Sequence, residues 1–104
     1  MRRRLQYLAV AQDDIFMIFD YIAGESGSSV TAQGFTARLR SRCVELSRLP
    51  GHIARPRPDL GSDIRSTAFG NYVILFRYAG DDLEIVRIIE GHRDIEAQFS
   101  NPGE

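Results

Sequence analysis

The chain reads as an α+β domain of order β-α-α-β-β-β, a curled antiparallel sheet with an N-terminal helical hairpin packed on one face. Three observations carry that reading. Two apolar stripes at helical spacing fill the first half, joined by a short polar turn. The second half switches to period-two alternation, in segments divided by Gly-containing turns. Finally, 104 residues with 43% hydrophobic content can bury a core without disulfides or metals, so residues 1–104 are read as one domain.

Arg2-Arg3-Arg4-Leu5-Gln6-Tyr7 is a short basic first strand, its charge suited to guarding a sheet edge. A helix follows from about Val10 to Ala23, where Ala11, Ile15, Ile18 and Ile22 form the core-facing stripe. Asp13 and Asp14 are expected in its first turn, favoured there by the helix dipole, and Gly24 is the expected C-cap. A second helix is expected from about Ser29 to Leu49, with Ser28 or Ser29 as N-cap. Its stripe is Ala32, Phe35, Leu39, Cys43 and Leu46, and Pro50-Gly51 stops it. His52 to Ser62 reads as a loop because it holds Pro56, Pro58 and Gly61. Strands are expected over Ile64 to Phe69, Tyr72 to Ala79 and Leu83 to Glu90. Gly70-Asn71 and Gly80-Asp81-Asp82 supply the hairpin chemistry between them. A helical turn from Arg93 to Phe99 and a frayed tail at 100–104 complete the expectation.

Composition excludes several classes of function. The net charge of -1 argues against direct, specific nucleic-acid binding, which needs a basic excess. All basic residues are arginines, so no lysine is available as general acid or Schiff-base nucleophile. The single cysteine, Cys43, cannot form an intramolecular disulfide, which fits a reducing cytoplasm. The run Ile15 to Phe19 is far too short to span a bilayer, so no membrane role is expected. One Cys and two unclustered His have no metal-ligand spacing, and no cofactor motif is present.

Several pieces occur in a fixed order: Asp14-Ile15…Ile18…Tyr21-Ile22-Ala23, Leu49-Pro50, Arg65, Tyr72-Val73-Ile74 and Arg87…Arg93-Asp94-Ile95…Phe99. In that order they resemble the ParE/RelE superfamily of bacterial toxins, and ParE more than RelE. The resemblance spans essentially the whole chain. It implies the toxin of a type II toxin-antitoxin system of the plasmid-stabilisation kind, neutralised by a ParD-like antitoxin and directed at DNA gyrase. The alternatives are a RelE-like ribosome-dependent mRNA endonuclease or an inert antitoxin-binding homologue.

The endonuclease alternative can be tested on residue chemistry. Cleavage through the 2′-oxygen needs a base, an acid and cations around the phosphorane. The resemblance aligns Phe99 with a catalytic tyrosine and Val73 with a strand arginine, and the lysines of that design have no counterpart. Arg93 alone survives, so a non-catalytic toxin is expected, with no catalytic residues. His92, beside Arg93 and near Glu90, and His52 are the side chains that titrate near neutrality, but an ordinary surface role is the plainer reading of each.

At about 100° per residue, Phe16 points away from the first helix's core stripe, with Phe19 on the same flank and Met17 on the other. An outward Phe needs cover, from an antitoxin, a second chain, or a loop or the tail of the same chain. Arg38, Arg40, Arg42 and Arg48 line the second helix and suit an acidic antitoxin tail, although singly each reads as solvated surface. The expected antitoxin set is therefore Phe16, Phe19, Arg38, Arg40, Arg42 and Arg48. Arg65, Arg77, Arg87 and Arg93 are expected to form a cationic target-facing patch, with Arg77 and Arg87 as cross-strand neighbours.

Overall fold

The computed structural model describes residues 3–49 and 54–91. A first strand, β1 (Arg4–Tyr7), leads into α1 (Ala9–Ser26) and α2 (Ser29–Arg48). Four strands follow: β2 (Arg55–Pro56), β3 (Arg65–Phe69), β4 (Tyr72–Ala79) and β5 (Asp82–Glu90). The expected order of elements is therefore present, with β2 added inside the segment read as loop. Pro56 sits opposite Arg65 on this outermost strand, where a missing N–H is tolerated. The final helical turn and the frayed tail lie outside the described residues.

The sheet order is β1-β5-β4-β3-β2. It is mixed rather than antiparallel throughout, because β1 runs parallel to β5 while the other pairs are antiparallel. Alternation marks which face a side chain takes but carries no information on strand direction, so this feature was not readable from the pattern. β1 is an edge strand, as its charge suggested, and Arg4 pairs with Asp82 at 2.8 Å. The two tight hairpins each place a glycine at positive φ in the first loop position, Gly70 at 57° and Gly80 at 60°.

One sheet face carries both helices. Ala11, Ile15 and Ile18 from α1 and Leu39, Cys43 and Leu46 from α2 pack on Ile74, Phe76, Leu83, Ile85 and Ile88. The other face holds Leu75, Val86 and Ile89, packed with Leu60 and Ile64 from the segment before β3. The β4–β5 register opposes Phe76 to Ile85 but Leu75 to Arg87, leaving Val86 as an extra residue. That bulge changes the parity of β5, so that Ile85 and Ile88 share the helix side while Val86 and Ile89 share the other.

Both ends of α1 differ from expectation. The Leu8 N–H donates to Ile85 O at 3.0 Å, the last bond of the β1–β5 ladder. The Leu8 carbonyl then accepts from Ala11 and Gln12, so the helix begins directly off the strand. Its first turn accordingly contains no acidic residue, and Asp14 lies one turn in, buried. At the other end the helix runs through Gly24, and Gly27 at φ 68° is the C-cap. For α2, the Ser28 hydroxyl accepts from the Thr31 N–H at 3.2 Å, which identifies the N-cap.

Candidate functional site

Where β1 ends, β5 has no strand partner on that side, and Asp14 of α1 takes over. Its Oδ2 accepts from the Ile88 N–H at 2.9 Å and from Arg87 Nε at 2.7 Å, while Oδ1 accepts from Arg87 Nη2 at 3.0 Å. One carboxylate thus answers a backbone donor and grips a guanidinium bidentately. This arrangement holds Arg87 more firmly protonated than usual, chiefly through the hydrogen bond to Asp14. Asp14 lies three residues after Ala11 and four before Ile18, on the core stripe. That spacing is the sequence signal that should have marked it as structural.

The expected strand patch is dispersed by such pairings. Arg77 and Arg87 are not cross-strand neighbours: the tight Gly80-Asp81 turn sets Arg77 opposite Glu84, and the bulge sets Arg87 opposite Leu75. Arg77 Nε donates to Glu84 at 2.7 Å. Arg65 donates to the Ala54 carbonyl at 3.3 Å and lies 5.9 Å from the Tyr78 ring centroid. Arg93 lies outside the described residues, as do His52, His92, Asp94 and Phe99.

Next to the Asp14–Arg87 pair is a surface depression of about 240 Å³, also lined by Met17, Tyr21, Tyr72 and Glu90. Burial, aided by the Glu90 carboxylate and Tyr21, pushes the Tyr72 phenol upward. A second depression of about 210 Å³ surrounds Val73, with Ala68, Gly70, Asn71, Tyr72 and Gly91. Its lining contains one ionisable side chain, that same Tyr72. Val73 is packed closely enough that a Cβ placed on Gly91 would meet its Cγ2 at 3.2 Å. At Val73 the strand presents an apolar side chain to this depression. Among the described residues, no group of three His, Cys, Asp or Glu could hold a metal ion.

The hairpin residues fall in three environments. Phe16 is 62% exposed, as the wheel required, and Met17 on the other flank is 68% exposed. Phe19 is half-buried. Tyr21 and Val30 are further exposed apolar groups, outside both core stripes. On α2 the arginines form two rows rather than one. Arg40 and Arg48 line a shallow depression of about 480 Å³ with Val44 and Leu49. On the opposite flank Arg38 lies over the Phe35 ring and Arg42 pairs with Glu45. Arg40 also lies 5.4 Å from the ring of Tyr7, a phenol held well above its usual range by burial and by its neighbour Cys43.

Residues 5–95 match the family described as the ParE toxin of the type II toxin-antitoxin system parDE. The chain belongs to the ParE toxin family. Among its relatives is the toxin ParE3 of Caulobacter vibrioides, 28% identical over 86 residues that cover 83% of this chain and 84% of that one. The fold is also that of a chain in a solved chromosomal ParDE system from P. aeruginosa, with a TM-score of 0.76 at 19% identity. That match covers 85% of this chain and 95% of the other. The ParE-family frame thus extends from β1 through β5, and it contains the hairpin and the Asp14–Arg87 clamp. No helix among the described residues is long and apolar enough to cross a membrane.

Proposed function

We infer that this ParE-family toxin acts by binding rather than by catalysis, that its target is DNA gyrase, and that a ParD-type antitoxin neutralises it by docking on the helical hairpin. The observation that carries the reading is the apolar, close-packed setting of Val73, which withholds a phosphate-binding cation from the strand where an endonuclease of this fold needs one. The pairing of Arg77 and Arg87 with carboxylates points the same way, since both cations serve the fold first. Expression without antitoxin separates the two mechanisms. Gyrase poisoning gives filamentous cells and DNA-damage signalling, whereas an RNase gives rapid translation arrest with mRNA cleaved on ribosomes.

For the antitoxin, Phe16 is the proposed apolar anchor, with Phe19 at its base. Arg38, Arg40, Arg42 and Arg48 are the proposed acceptors of an acidic tail. Phe16 projects into solvent, so Phe16→Asp should leave folding unchanged within about 0.5 kcal/mol. It should weaken antitoxin binding by at least ~1.4 kcal/mol, or tenfold, in calorimetry. Unchanged affinity would remove Phe16 from the interface. Complex affinity should also fall as salt rises.

A further inference from the structure

The two helices lie side by side on one sheet face, so their solvent sides form a single outer surface. The halves of that surface are chemically opposite. α1 carries Asp13, Asp20 and Glu25 in solvent and no basic residue, together with the bulky exposed side chains Phe16 and Met17. On α2, Arg38 and Arg40 are exposed, and the solvent side between them holds the small residues Ala37 and Ser41, flanked by exposed Val30 and Glu45. Gly34 is half-buried beside the Arg38 guanidinium. One half is acidic with large apolar knobs; the other is basic with a shallow pair of small residues. The complement of this surface is the same surface reversed.

We propose that the isolated chain self-associates through this face, α1 of one copy packing on α2 of its partner about a two-fold axis running along the hairpin. Such an axis places each α1 antiparallel on the opposing α2 and makes both contacts at once. Phe16 and Met17 then seat on the small-residue pair of the partner, and Asp13 and Asp20 face the partner's arginines. If the antitoxin docks on the hairpin as inferred above, dimer and antitoxin complex exclude one another. The self-association itself does not depend on that reading.

The test is sedimentation equilibrium of the full chain alone, from micromolar to sub-millimolar concentration, at low and high salt. The expected result is a dimer that weakens with salt. Asp13→Arg/Asp20→Arg and Arg38→Asp/Arg40→Asp should each be monomeric, and their equimolar mixture should recover the dimer. Ala37→Gln, which alters no charge, should also dissociate it, and circular dichroism verifies the fold of each variant. A wild-type monomer across the range overturns the proposal, and so does a dimer indifferent to both charge reversals. Neither outcome bears on antitoxin binding, which the Phe16→Asp titration measures separately.

Discussion

A carboxylate only 8% exposed needs its charge answered, and Asp14 is answered three times, by two guanidinium nitrogens and one backbone N–H. Asp14→Asn keeps an acceptor for Ile88 but leaves Arg87 without its counter-charge in a half-buried site. We expect a loss of about 2–4 kcal/mol in urea denaturation. Replacing both partners by apolar residues, Asp14→Leu with Arg87→Met, should recover much of that loss, because no uncompensated charge remains. A double variant as unstable as the single would show that losing the Ile88 acceptor costs as much as removing the uncompensated charge restores. The sequence places Asp14 near the start of an apolar stripe, where a helix-dipole role suits it. Its real partner is 73 residues away, and such a pairing leaves no local trace. Phe16, by contrast, was legible, since its orientation depends on helical period alone.

Helices and hairpins were legible as elements because apolar period and turn residues are local properties. Their ends were less so where a competing local signal existed. Gly24 and Gly27 are both plausible caps in the sequence, and the choice falls to Gly27 because α1 keeps its ladder for another turn and Gly27 takes φ 68°. The two positions therefore predict opposite effects. Gly24→Ala meets nothing within 4 Å in a helix interior and should stabilise by about 0.5–1 kcal/mol. Gly27→Ala forces a Cβ into the left-handed region and should cost about 1 kcal/mol. Thermal melts of the two variants should move in opposite directions; a shift in the same direction would misplace the cap. The Val86 bulge was hidden for a different reason. Alternation in a strand assumes constant parity, and one extra residue at Val86 moves Arg87 from opposite Ile74 to opposite Leu75.

At the scale of the molecule, α1, α2 and the sheet meet around a core that contains two acidic protons held tightly. Burial raises the Cys43 thiol above its ordinary value of 9.0, and burial with Cys43 raises the Tyr7 phenol above 10.0. Both groups therefore lose protons first in the unfolded chain. Stability from these sites is complete below about pH 9 and falls as pH rises toward the raised folded values. Melting temperature should be insensitive to these groups near neutrality and drop in the alkaline range, with Tyr7→Phe flattening the drop. The ParE fold was legible as a whole because the family's pieces recur in order along the chain. The distribution of its cations was not, because each arginine's role depends on the carboxylate or ring that the fold brings to it. The central claim is that this frame binds gyrase instead of cutting RNA. It is tested most directly by incubating the purified toxin with gyrase and supercoiled plasmid, then with programmed ribosomes. Accumulation of gyrase-dependent linear plasmid, with ribosome-bound mRNA left intact, is the predicted result. Cleaved mRNA without linear plasmid would contradict the account.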